Sequence, residues 1–342
     1  MNKIASYVAA AVLLGGTAFA VSACSSASKS ANDSDSIAAS APGGEKKGKV
    51  GGPQLGSPGG GPVIDKTGDA TLQSMIKELV PKFRQLEFDD PTSGIKMKYN
   101  LFVPEKLEPG KKYPLVLFMA DASTPGENPT TPLTQGYGAL VWATQESQAK
   151  NPCFVLVPQY SGVAVNDAYE HTDEVDVVIR MLKHVASEYE VDSNRLYTTG
   201  QSMGGMISMY YNVTYPDIFA ASIFVDCHWA TDTFDELAEH KFVYFSAGDK
   251  GGAWKCIAPL EEAAKKDDRK YEYAQWSARL PESEQNTLAQ KMLDKGAPIN
   301  MINFESGTVL PADGKGSEHM YSFDYAYKIR AVRDWLFRQS KK

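Results

Sequence analysis

The chain has 342 residues, 43% of them hydrophobic and 23% charged, which is enough apolar side chain for one α/β domain with a full core. A formal net charge of −7 argues against nucleic acid as a partner, because that needs a basic surface. The sequence holds no H-E-x-x-H, EF-hand loop or paired C-x-x-C, so neither a metal nor a cofactor is expected.

The chain opens with Met1-Asn2-Lys3, a positive start, then an apolar stretch Ile4–Ala20, then Val21-Ser22-Ala23-Cys24. This resembles a bacterial lipoprotein signal. Residues 1–23 would be removed and Cys24 would carry lipid, leaving no transmembrane helix in this stretch. The alternative is a secretory peptide cut after Ala20 or Ala23. Either way the protein is exported, and with the lipid it is anchored to the outer face of a bacterial cell membrane or outer membrane. Residues 24–69 are rich in Ser, Ala, Gly and Pro and read as a flexible tether, followed by one globular domain over 70–342.

Short, mostly unalternating apolar runs at 114–119, 153–157, 221–225 and 242–246 predict strands buried on both faces. Between and after them, 172–189, 203–213, 257–267, 284–295 and 322–338 predict helices, and 136–149 is a helical run in which Trp142 belongs to the core. The acids in Glu170-His171-Thr172-Asp173 favour a helix N-terminus rather than a metal. Residues 268–283 predict a small insertion, either part of a cap or a surface excursion. Strands alternating with helices predict an α/β fold with a mostly parallel central sheet and helices on both faces.

The chemistry centres on Gly200-Gln201-Ser202-Met203-Gly204-Gly205, a G-x-S-x-G pattern between a strand and an apolar helical run. A serine hydroxyl needs a base to take its proton, and a sharp strand-to-helix turn lifts the oxygen toward one. Gly200 and Gly204 let backbones approach, and the Met203 N–H at the new helix's start is placed to hold an oxyanion. Five histidines are candidates for the base. His171 and His184 precede Ser202, against the order expected for this turn. His240 lies at the wrong end of a strand, and His228 leaves no room for an acid before it. His319 remains, in a flexible loop before the last helix. For the acid, Asp249 follows the 242–246 strand in a Gly-rich loop and is favoured; Asp226, ending the 221–225 strand, is the alternative.

Around these motifs, Tyr99–Pro104, Lys112–Phe118, Cys153–Tyr160, Asn194–Gly205, Tyr215–Ala220 and His319 before Arg333-Asp334-Trp335 resemble the α/β-hydrolase superfamily. Over residues 95–340 they are similar to secreted esterases and peptidases related to polyhydroxybutyrate depolymerases and feruloyl esterases. The resemblance implies a Ser202, Asp249, His319 triad. Where relatives carry a His-Gly pair, this chain has Ala120-Asp121-Ala122. The second oxyanion donor is expected from the backbone N–H of Asp121 or Ala122, with the Asp121 carboxylate either pointing inward or acting as a turn cap. Tyr160, Trp229 and Trp254 each follow a strand-like run, and either rim the site for sugar rings or an aromatic acyl group or close the core as lids. In an oxidising compartment Cys227 and Cys256 are expected to pair, leaving Cys153 as a buried thiol. The favoured reading is a lipoprotein serine esterase for small or polymeric esters, such as acylated carbohydrate or phenolic esters. A serine peptidase and a noncatalytic binding protein on the same scaffold are the alternatives.

Overall fold

In the computed structural model, residues 63–341 are described, all within the compact unit Lys47–Lys342. The signal, Cys24 and the tether up to residue 62 lie outside the described residues. Nine strands form one sheet: β1 (Phe83–Asp89), β2 (Lys96–Phe102), β3 (Tyr113–Met119), β4 (Phe154–Pro158), β5 (Val191–Gln201), β6 (Ala221–Val225), β7 (Phe242–Ala247), β8 (Tyr271–Trp276) and β9 (Ile299–Phe304). Their order is β1-β2-β4-β3-β5-β6-β7-β9-β8. Pairing is antiparallel from β1 through β2 to β4 and parallel in every other neighbouring pair.

The unalternating apolar runs are explained by what lies on each face. Leu115, Leu117 and Met119 of β3 enter a core shared with helices Asp173–Glu188, Met203–Thr214 and Ile257–Lys266. Val116 and Phe118 enter a second core, shared with Ala70–Leu79, Glu282–Leu293, Glu318–Lys328 and Arg330–Phe337. Successive side chains point to opposite faces, so a strand covered twice must be apolar at every position.

Three expectations change. The run 136–149 is two short helices, Tyr137–Leu140 and Gln145–Lys150, because the Thr144 side chain accepts from the Ser147 N–H and starts a new helix. Trp142 is fully buried between them. Residues 268–283 hold β8, which pairs with β9 as an outer strand of the sheet and forms no cap. The last helix begins at Glu318 and breaks at Ile329, whose ψ of 96° lies outside the helical range. Neither Gly nor Pro marks that break. The Arg333 guanidinium donates to the Tyr327 carbonyl beside it, satisfying an acceptor the interruption frees.

An ion pair between a partly exposed arginine and a buried carboxylate fastens the antiparallel end of the sheet to the helical layer. Arg180, on helix Asp173–Glu188, meets the fully buried Asp90 through Nε–Oδ1 at 2.8 Å and Nη2–Oδ2 at 2.9 Å. The Ser93 N–H donates to the same carboxylate at 2.8 Å. The Arg180 hydrogen bonds outweigh burial and hold the Asp90 carboxyl well below the usual carboxylate range.

Candidate active site

β5 ends at Gln201 and helix Met203–Thr214 begins one residue later, so Ser202 takes the whole change of direction. Its backbone sits at φ 51°, ψ −121°, a region that side chains rarely occupy. Its N–H still extends the sheet, donating to the Val225 carbonyl at 3.0 Å. The glycines are steric necessities. A Cβ on Gly204 would stand 2.0 Å from the Met119 carbonyl oxygen, and one on Gly200 would stand 2.2 Å from the Gly204 carbonyl carbon. A Cβ on Gly205 would meet the Cys227 side chain at 2.6 Å.

His319 lies in the first turn of helix Glu318–Lys328 rather than in the expected loop. Its Nε2 is 2.9 Å from Ser202 Oγ, hydrogen-bond distance for proton transfer. Its Nδ1 faces Asp226 Oδ1 at 3.4 Å, within ion-pair reach and longer than a normal N–H···O bond. The other oxygen of Asp226 accepts from Ser322 Oγ at 2.6 Å, and Ser322 also reaches the His319 carbonyl at 2.8 Å. Ser322 thus ties Asp226 to the helix that carries His319, one turn on from it. The expectation from sequence did not include it. Burial works against protonating His319, but the hydrogen bond and charge of Asp226, with Asp121 and Asp167 behind, more than offset this and raise its pKa above 6.5.

The favoured acid, Asp249, is not at the imidazole. It is solvent-exposed beyond the end of β7, while Asp226 is buried at the end of β6. Of the two strand-end aspartates, Asp226 lines the cleft over Ser202 and His319, whereas Asp249, one strand further out at the end of β7, turns to solvent and does not.

The Met203 N–H opens its helix, where the first N–H groups have no intrahelical acceptor. Met119 pairs with Gly200 in the β3–β5 register, which brings residues 120–122 abreast of the Ser202 turn. Asp121 is 2% exposed and its carboxylate points inward, accepting from Ser123 N–H at 2.8 Å, Gln201 Nε2 at 3.2 Å and Gln135 Nε2. Ala122 beside it is partly exposed.

A cleft of about 480 Å³ opens over the pair, lined by Ser202, His319, Asp226, His228, Lys250 and Glu318 among others. His228 stands across it with Nε2 3.5 Å from Asp167 Oδ1. The aromatic trio divides. Tyr160 (4% exposed) and Trp229 (5%) are core residues, the latter packed on Tyr169 and Tyr210, and only Trp254 (39%) meets solvent. Cys227 and Cys256 are not joined; both are buried free thiols, as is Cys153. The Tyr244 hydroxyl sits between their segments, bonding the Cys227 carbonyl at 2.5 Å and the Ala253 carbonyl at 2.8 Å. Burial pushes both thiols up, away from the reactive thiolate. Among the described residues no helix is long and apolar enough to cross a membrane, and no group of three or more His, Cys, Asp or Glu is placed to hold a metal.

Parts of the chain are similar to known proteins. Residues 91–255 match the model of the Esterase family, described as "Putative esterase". Acetylxylan esterase A of Aspergillus ficuum is 25% identical over 138 residues, 40% of this chain and 43% of that protein. Feruloyl esterase B of Talaromyces stipitatus is 41% identical over 44 residues, 13% of this chain and 12% of that protein. This chain therefore spans less than half the length of these curated relatives. A thermostable esterase superposes with a TM-score of 0.59 at 24% identity, covering 77% of this chain and 64% of the other. The feruloyl esterase module of Clostridium thermocellum, complexed with sinapinate, superposes with a TM-score of 0.51 at 16% identity, covering 83% and 95%. The fold is that of the α/β-hydrolases.

Proposed function

Residues 91–255 match the Esterase family model on an α/β-hydrolase fold, and from that premise we propose that the protein is a serine carboxylesterase working through an acyl-enzyme. The observation that carries the reading is the 2.9 Å contact between His319 Nε2 and Ser202 Oγ, backed by the buried Asp226. With Nδ1–H held toward Asp226, Nε2 is free to accept the serine proton as Oγ attacks the ester carbonyl. The carbonyl oxygen, becoming negative, is received by the Met203 N–H and by the backbone N–H of Asp121 or Ala122. His319 then returns the proton to the departing alkoxide. Water then attacks the acyl carbonyl as the same nitrogen takes its proton, and that proton passes to Ser202 Oγ as the acyl–oxygen bond breaks and the acid leaves.

The substrates we propose are acylated carbohydrate or phenolic esters, in keeping with the named activities of the acetylxylan and feruloyl esterases above. Trp254, exposed beside the cleft-lining Ala253, supplies a flat apolar face for a sugar ring or aromatic acyl group. A peptidase reading would use the Asp121 carboxylate to receive a terminal ammonium, but that group is already engaged by three N–H donors. Export as a Cys24 lipoprotein rests on the amino-terminal sequence and is part of the same proposal.

Fluorophosphonate labelling tests the chemistry. The adduct is expected on Ser202 by peptide mass spectrometry and is expected to vanish in His319→Ala. Turnover of esters but not anilides of one acyl group separates esterase from peptidase. Folded wild-type protein that neither labels nor turns over, yet binds acylated saccharides equally well as Ser202→Ala, would make it a binding protein instead.

A further inference from the structure

Asp121 stands where charge should be unwelcome, one loop from a developing oxyanion, and it is almost wholly buried. No cation is among its hydrogen-bond partners. Oδ1 takes the Ser123 N–H at 2.8 Å, closing a turn within its own loop. Oδ2 takes Nε2 of Gln201, the residue immediately before the nucleophile, at 3.2 Å, and Nε2 of Gln135. The two glutamines also bond each other, Gln201 Nε2 to Gln135 Oε1 at 2.8 Å, and Gln135 reaches Ser123 Oγ at 3.1 Å. The Asp121 carbonyl accepts from Thr124 N–H and Oγ1 at 3.2 and 2.9 Å. The bonds of the side chain fix the loop's own shape, tie it to the strand that carries Ser202, and join both to Gln135.

We propose that Asp121 is a positioning residue whose carboxylate clamps the loop after β3 onto the nucleophile turn, setting the backbone N–H donors of residues 121–122 against the forming oxyanion. The inference rests on the esterase reading for the meaning of those donors. Its geometry does not depend on that reading. The clamp needs acceptors at both oxygens, because the three groups converging on them are all N–H donors. An alanine supplies none. An asparagine supplies one, and Gln201 can adapt to its new N–H because Gln201 Oε1 is buried without a hydrogen-bond partner.

The experiment compares wild type, Asp121→Ala and Asp121→Asn in the full chain by three readings. The first is steady-state ester hydrolysis. Asp121→Ala is expected to lose on the order of 100-fold in kcat with little change in KM, the cost of a displaced oxyanion donor, and Asp121→Asn to recover most of it. The second is the His319 imidazole titration by NMR. The charged or titratable groups around His319 are Asp226, Asp121 and Asp167, with His228, Lys250 and Glu318 lining the same cleft. Both variants remove one raising charge, so both should titrate at lower pH than wild type. The third is amide exchange over 119–124, faster in Asp121→Ala and near wild type in Asp121→Asn. A residue that merely filled space would lower the melting temperature without this pattern of rescue and without moving the imidazole. Asp121→Ala that keeps wild-type exchange over 119–124 and an unshifted His319 overturns the clamp, whatever the activity. Wild-type protein without turnover or label at Ser202, but with exchange and titration as expected, overturns the esterase reading and leaves the clamp standing.

Discussion

Asp226 stands beside the His319 imidazole and Asp249 does not, so the two aspartates should respond differently to substitution. Asp226, at the end of β6, is expected to be indispensable: Asp226→Asn should lower kcat by roughly 10³–10⁴-fold through loss of the correct imidazole tautomer. Asp249→Asn should stay within about twofold of wild type, since its carboxylate is in solvent. The pH profile gives a separate reading. Protonated His319 cannot accept the serine proton, so kcat/KM should rise with pH through a limb above the ordinary imidazole value of 6.5. Asp226→Asn removes the strongest raising influence and leaves burial, which moves the limb to lower pH. The contact between Ser202 and His319 was legible because the glycine spacing and the shortage of histidines constrain the choice tightly. The carboxylate beside the imidazole was not, because two strand-end aspartates look alike in sequence and only the folded loops show that Asp226 is buried and Asp249 exposed. Burial of Tyr160 and Trp229 was equally hidden, since an aromatic at a strand end looks the same whether it faces solvent or a neighbouring helix.

The strand-to-helix turn works as a unit because β3 leaves it no spare volume. Gly204→Ala would drive a methyl into the Met119 and Ala120 carbonyls, which are backbone and cannot swing aside. Thermal unfolding should show a loss of about 1–3 kcal/mol or more, with labelling of Ser202 lost alongside. Strands β3, β4, β6 and β7 were readable from their composition, because burial on both faces leaves a run of apolar residues. Strand β8 was not. Its outer position leaves it one hydrogen-bonded neighbour and mixed burial, so Tyr271–Trp276 mixes aromatics with Glu272 and Gln275 and, after Asp268-Arg269-Lys270, reads as an excursion. The break at Ile329 likewise has no local signal, and Ile329 is buried in the second core with residues of both halves.

Across the whole molecule, stability in acid should depend on the Asp90–Arg180 pair. The Asp90 carboxyl is depressed on folding, so its contribution is complete above its unfolded value of about 3.9 and is lost as pH falls toward the lower folded value. Melting curves between pH 5 and pH 2 should therefore be flatter for Asp90→Asn than for wild type. Arg180→Met should cost about 3 kcal/mol at neutral pH, less if solvent reaches the stranded carboxylate past the partly exposed arginine. Ser202 also bears on the stability of the whole chain, since its φ of 51° with ψ of −121° suits glycine far better than any residue with a side chain. Ser202→Ala and Ser202→Gly both remove the hydroxyl, but only glycine relieves the backbone, by about 1–3 kcal/mol against about 0.5–1 kcal/mol of added chain entropy. The glycine variant should consequently melt above the alanine one. Laboratory evolution that rewards heat resistance without demanding turnover would then drift toward glycine at position 202 and deliver a sturdier, inert protein.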